Sequence, residues 1–331
     1  MNLRFVWMAL KKMDVKGRLE DARQIADRVG KSRFMILADM VVCAVRYGAG
    51  PADYRLFEFC SKNHQQRSTY ITRGMNNTLV KKYNHAASVD IIDNKVSFCR
   101  HFGAFIGREW LPVENLTADA LAAFCRGKER LLYKPEDGSC GKGVELIHLD
   151  QWTQEALLKW VQEKGGGLLD ELVIQHPDMA KINPSSVNTV RIVTLRKDGV
   201  TTPLFGFLRM GMGGKVVDNL NSNGIAAKLE LTDGSIHLPA AGKDGRVHTC
   251  HPETGTPIVG FVVPHWEKVL QLAIQASAVV PQVGYVGWDI AVRETDVVLI
   301  EGNGYPGHDI LQLPAYTPDH IGLKSVIEAF L

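Results

Sequence analysis

Apolar residues recur at three- and four-residue steps through Arg18–Arg28, where Leu19, Ala22, Ile25 and Ala26 mark one face of a predicted helix. Gly30 stands where a left-handed cap would close it. A second apolar helix is predicted to run to Val45 and to stop at Gly48-Ala49-Gly50-Pro51. Asp53–Lys62 reads as a third, with Tyr54, Phe57 and Phe59 as its bulky contacts. Residues 1–87 therefore form a helical N-terminal region whose expected role is packing or partner docking, not chemistry.

The texture changes near residue 88. Val96–Phe105 reads as helix, Trp110-Leu111-Pro112 as a turn, and Thr117 as the cap of a short helix, Ala118–Cys125. Strand-like runs follow at Arg130–Lys134, Val144–His148, Leu172–Gln175, Thr189–Leu195, Thr202–Leu208, Gly287–Val292 and Val297–Glu301. Helices are predicted at Gln151–Gly165 and Trp266–Val279. Lys197-Asp198-Gly199, Thr232-Asp233-Gly234 and Lys243-Asp244-Gly245 are hairpin-like turns, so a mostly antiparallel sheet with helices on one side, an α+β class, is expected.

Composition narrows the function classes. The 331 residues suffice for two domains, and hydrophobic content of 45% with 22% charged is ordinary for a globular chain. A net charge of +2, with only short lysine pairs, argues against a nucleic-acid partner. Six scattered cysteines lack metal or disulfide spacing, which suggests reduced thiols in a cytoplasm. Phe5–Leu10 is too short for a secretory signal, and Phe34–Val45, broken by Asp39, falls short of the roughly 20 residues of a membrane span.

Two stretches carry chemistry. In "LLYKPEDGSCGKGVELIHLD" a lysine on an incoming strand, Lys134, precedes Gly138, Gly141 and Gly143. Glycines let backbone N–H groups close on phosphate oxygens, and Lys134 could reach the same phosphates. The spacing is neither a Walker A nor a Rossmann loop, because Gly143 follows Lys142 and the next residues favour strand. In "GYVGWDIAVRETDVVLIEGNGYPGHD" a tight turn would fold Asp289 against Glu301, with Asn303 on the face of Glu301. Two carboxylates and an amide oxygen suit Mg²⁺, and a carboxylate among Val297, Val298, Leu299 and Ile300 needs compensation.

Together these motifs resemble the ATP-grasp superfamily: Lys134-Pro135 entering Gly138-Ser139-Cys140-Gly141-Lys142-Gly143, then Asp289 and Glu301-Gly302-Asn303. Within it, "SVNTVRIVTL", "VDNLNSNG" and "EGNGYPGHDILQ" are most similar to the sugar-transfer-associated group, over roughly residues 50–320. The resemblance implies an ATP-grasp fold of two α/β subdomains gripping ATP, here 88–168 with the glycine loop and 169–331 with the metal site. It implies that Lys95, Lys134, Ser139, Cys140, Gly141, Lys142 and Gly143 bind the nucleotide phosphates. Gln175 and His176 would lie in an adenine hinge, with Asp178 as a ribose partner. Arg191 would face the transferred phosphate, and Asp289, Glu301 and Asn303 would hold one or two Mg²⁺ ions, with Mn²⁺ as a substitute.

The chemistry implied is carboxylate–amine ligation through an acyl-phosphate, with Arg191 and Lys134 as catalytic residues. The substrates are small acids and amines, on a sugar or free, in envelope polysaccharide or specialised-metabolite synthesis. A phosphotransferase on the same fold and a nucleotide-binding scaffold without turnover stand as alternatives. The helical N-terminus could support a homodimer. Asn219, Asn221 and Asn223 are candidates for an acceptor pocket or a plain loop, while Cys140 lacks a base and reads as a bystander.

Overall fold

The computed structural model describes residues 15–136, 141–215, 218 and 223–331. They divide into two compact units, one of Met1–Thr78 with Gln312–Leu331, the other of Leu79–Leu311.

In the first unit the expected helices are Val15–Val29 and Arg33–Tyr47, the second ending on Gly48 in the left-handed region at φ 66°. Ala22, Ile25 and Ala26 pack against Ile36, Met40, Cys43 and Tyr47, and Tyr54, Phe57, Phe59 and Tyr70 complete this core. Asp39, which interrupts the apolar run, accepts two bonds from Arg67 at 2.7 and 2.8 Å and one from the Tyr54 hydroxyl at 2.7 Å. The third helix is shorter than the sequence suggests. It covers Pro51–Leu56, and a left-handed Glu58 (φ 51°) breaks it before a single 3₁₀ turn, Phe59–Ser61.

The second unit holds two antiparallel sheets. The smaller has the order β1-β4-β2-β3, from β1 (Trp110–Pro112), β2 (Arg130–Lys134), β3 (Glu145–His148) and β4 (Leu168–Glu171). The helices Ala118–Cys125 and Gln154–Glu163 contribute Leu121, Phe124, Leu157 and Val161 to the core it shares with Leu131 and Tyr133. Thr117 caps the first of these helices as expected, accepting from the Ala120 N–H. The larger sheet has the order β11-β10-β5-β6-β7-β8-β9. Its strands are β5 (Val190–Lys197), β6 (Val200–Met210), β7 (Ile225–Leu229), β8 (Ala240–Ala241), β9 (Val247–His248), β10 (Tyr285–Val292) and β11 (Val297–Asn303). Helix Trp266–Ala276 buries Val269, Leu272, Ala273 and Ala276 in the core that also holds Phe98, Phe102 and Trp288.

Three local expectations change. Trp110–Pro112 is an edge strand on β4, not a turn. The predicted helix through Phe105 is two pieces, Lys95–His101 and Gly103–Ile106, divided at Phe102. The strand expected at Leu172–Gln175 lies earlier, at Leu168–Glu171, and 172–176 is irregular because Pro177 opens a helix there. Among the described residues, no helix is long and apolar enough to cross a membrane.

Candidate functional site

Strand pairing sets the charged side chains in one row. Asp289 on β10 lies directly opposite Glu301 on β11 and, on its other side, Arg191 on β5. Residues directly opposite one another project to the same face, and Asn303, two positions beyond Glu301, shares it. Gly287 faces this row. A Cβ there would stand 3.1 Å from Cδ and Nη1 of Arg191, so glycine leaves the arginine room to lie along the sheet.

Buried ion pairs connect the row to residues the sequence did not single out. Arg191 donates through Nε to Asp289 Oδ1 and through Nη2 to Oδ2 at 2.7 Å. Arg209 on β6 donates Nη1 to the same Oδ2 at 2.7 Å and Nη2 to Asp218 Oδ1 at 2.7 Å. Asp218 also accepts from the Thr189 N–H at 2.9 Å and from the Thr189 hydroxyl. Burial opposes ionisation of Asp289, but the two guanidiniums outweigh it and hold the carboxyl well below the usual range. Glu301 behaves oppositely. Burial, then the Asp289 charge and a hydrogen bond with that carboxyl, push it up, and the arginines offset only part.

A second cluster closes the other wall. Lys134, at the end of β2, places Nζ 2.5 Å from Asp170 Oδ2, and Arg108 Nε donates to Asp170 Oδ1 at 2.8 Å. Arg108 Nη1 also donates to the Leu299 carbonyl at 2.7 Å, fixing this cluster to β11. Asp170 is buried, yet Lys134 and Arg108 together keep its carboxyl low. Asn94 caps the helix Lys95–His101 and donates to Glu136 Oε1 at 2.8 Å, so the helix that presents Lys95 is tied to the chain entering the glycine-rich segment.

Both clusters face the same space. A cavity of about 600 Å³ is lined by Lys95, Arg108, Lys134, Asp170, Glu301 and Asn303, among others. A narrower one of about 110 Å³ shares Lys95, Lys134, Asp170 and Glu301, and adds Gly141, Asp289, Arg209 and Asp218. Its apolar walls are Leu132, Val144, Val173, Val187 and Ile300. Thus Lys95, Lys134, Gly141, Asp289, Glu301 and Asn303 come together, and Arg191 joins through Asp289.

Other candidates stand apart. Lys142 and Gly143 are exposed, and Gly138, Ser139 and Cys140 lie outside the described residues, as do Asn219 and Asn221. Asn223 is exposed in the left-handed region at φ 70°. The Gln175 side chain braces its own loop, donating to the Asn183 and Ser186 carbonyls at 2.9 Å and accepting from the Asn188 N–H at 2.9 Å. His176 caps the helix Pro177–Ile182, and Asp178 pairs with Lys181 at 2.7 Å on the surface. The residues just before this stretch that do line the narrower cavity are Glu171 and Val173. Cys99 lines the larger cavity, but burial pushes its thiol up to about 11, so it is not a ready nucleophile.

The family model described as sugar-transfer associated ATP-grasp matches residues 74–326. The chain belongs to this family. No curated protein matches it. Among solved structures, the ATP-grasp ligase PsnB complexed with minimal precursor is 12% identical over 80% of this chain and 70% of its own, with a TM-score of 0.43. D-alanyl-alanine synthetase A from Vibrio cholerae O1 is 10% identical over 72% of this chain and 63% of its own, with a TM-score of 0.43. An L-amino acid ligase from Bacillus licheniformis is 11% identical over 69% of this chain and 48% of its own, with a TM-score of 0.41. Likeness this distant carries no argument about activity.

In this ATP-grasp chain the acidic end has the donor chemistry of a hard cation site. Among the described residues no three His, Cys, Asp or Glu side chains form a metal cluster. The set is instead two facing carboxyls and an amide, and it leaves further positions to water or phosphate oxygens, as Mg²⁺ prefers. Both oxygens of Asp289 already serve arginines, so Glu301 is the carboxyl left short of positive charge. Among the described residues the buried Asn303 Nδ2 finds no hydrogen-bond partner, and such a donor costs roughly 1–3 kcal/mol unless an acceptor such as a phosphate oxygen reaches it.

Proposed function

We propose that the chain is an ATP- and Mg²⁺-dependent ligase that joins a carboxylate to an amine through an acyl-phosphate. The observation that carries this reading is the shared lining of one cavity system by Lys95 and Lys134 on one side and Asp289, Glu301 and Asn303 on the other. Cations on one wall and a hard-oxygen set on the other suit a triphosphate.

In this reading the adenine lies in the apolar slot of Leu132, Val144, Val173 and Ile300, with the backbone of Glu171–Val173 as its hinge in place of Gln175–Asp178. Lys95 and Lys134 neutralise the phosphates, and the backbone of Gly141 lies beside them. Glu301, Asn303 and one oxygen of Asp289 would hold Mg²⁺, which supplies charge neutralisation at the phosphates. Arg191 and Arg209 share Asp289, and any ion drawing on that carboxylate leaves their guanidiniums free to face an anionic transferring group. An acid oxygen attacks the γ-phosphorus, ADP departs, and the amine then displaces phosphate from the acyl carbon and loses a proton. The acid and amine are small molecules, carried on a sugar or free.

Hydroxylamine trapping tests this. With a panel of amino acids and sugar acids, the ligase reading expects ADP release together with a hydroxamate of the same acid. A phospho-ester product would instead assign a phosphotransferase, and ATP bound but unchanged across acids, sugars and aminosugars would assign a scaffold.

A further inference from the structure

The helix Arg33–Tyr47 has two apolar faces, and the unit needs only one. Ile36, Met40, Cys43 and Tyr47 form the buried line that packs on the Val15–Val29 helix. Phe34, Val41 and Val45 fall on the opposite line, with Met35 and Val42 beside it, following the 3.6-residue turn. These five are open to solvent, Phe34 at 67% and Val45 at 68%. The helix carries no exposed acid, because Asp39 is half-buried and held by Arg67, and its exposed polar residues are Arg33 and Arg46 at the two ends. An apolar stripe of this kind is rare on a monomer surface unless something covers it.

We propose that this face seats the chain on a membrane surface carrying anionic phospholipid headgroups, with the five side chains entering the headgroup–acyl boundary and Arg33 and Arg46 meeting the phosphates. Charge favours this occupant. The unit of Met1–Thr78 with Gln312–Leu331 holds fifteen Lys and Arg against nine Asp and Glu, a net +6, while Leu79–Leu311 carries −4. A second copy fits poorly. Antiparallel pairing of this helix with itself sets Arg33 against Arg46, parallel pairing sets like against like, and no exposed acid on the helix offsets either. An exposed apolar helix face with a cation at each end suits lying in a lipid interface. The inference concerns peripheral attachment and does not depend on the ligase reading.

Co-sedimentation of the full chain tests it, with vesicles of phosphatidylcholine alone and vesicles containing about 30% phosphatidylglycerol. The expected result is binding to the anionic vesicles at least about tenfold above the neutral ones, weakened at high salt. Val41→Glu with Val45→Glu, at exposed positions, should lose that binding while keeping the circular dichroism and melting temperature of the wild type. Wild-type chain left in the supernatant with both vesicles would overturn the proposal, as would a double variant that binds like wild type. A vesicle-free wild-type dimer that the same variant converts to monomer would also overturn it, assigning the face to a second copy.

Discussion

Glu301 and Asp289 differ in what surrounds them, not in chemistry. Asp289 has two arginines, whereas Glu301 has mainly Asp289, so the proton that the pair retains in the absence of a cation belongs on Glu301. Because its folded-state pKa is raised, the stability Glu301 contributes is present at acid pH and lost as pH rises through that value. Glu301→Gln should therefore raise the melting temperature of metal-free protein at neutral pH by about 2–4 °C, and the gain should shrink towards pH 4. No gain, or a gain that grows on acidification, would mean the carboxyl is compensated in a way the ion pairs do not show. Arg209→Ala would leave buried Asp218 without its guanidinium and Asp289 with Arg191 alone, and should cost about 3–5 kcal/mol in urea unfolding. Adding Asp218→Asn should recover part of that loss. Arg209, like Arg191, is flanked by apolar residues, but the resemblance that implied a role for Arg191 gave none to Arg209. Its role needed β10 to be laid beside β5 and Asp218 to be brought to Thr189, which residue spacing cannot provide.

The elements were legible where one local rule decides them. Thr117 ahead of Ala118–Cys125 and Gly48 after Tyr47 act through bonds within a few residues, and both stand where the pattern put them. Thr117→Ala should cost about 1 kcal/mol in unfolding experiments and leave nucleotide binding unchanged. Trp110–Pro112 becomes a strand only because β4 offers it a partner, and β4 ends at Glu171 where the sequence suggested a later start. Gly167 shows the same dependence on distant chain. It holds φ 105°, and a Cβ there would lie 2.3 Å from the Lys134 carbonyl. Gly167→Ala should force β4 away from the end of β2, destabilise the chain and weaken ATP binding together. Unfolding and titration of one preparation would separate that outcome from a purely local loss.

At the scale of the molecule, the order of motifs along the chain was enough to suggest the family, and the match over residues 74–326 establishes it. Patterning could not assemble the second wall of the site. Asp170 draws Lys134 and Arg108 together from three separate segments, and nothing in their spacing marks them as partners. The carboxyls of Asp170 and Asp289 are both held below the ordinary range, so their pairs should persist below the pH at which an ordinary aspartate protonates, and unfolding should follow their protonation. Calorimetric titration of a non-hydrolysable ATP analogue, with and without Mg²⁺, into wild type and Glu301→Gln tests the shared cavity most directly. Binding at least about tenfold tighter with Mg²⁺, lost in the variant, is the predicted result. Equal binding with and without the ion, or undiminished Mg²⁺ dependence in Glu301→Gln, would contradict it.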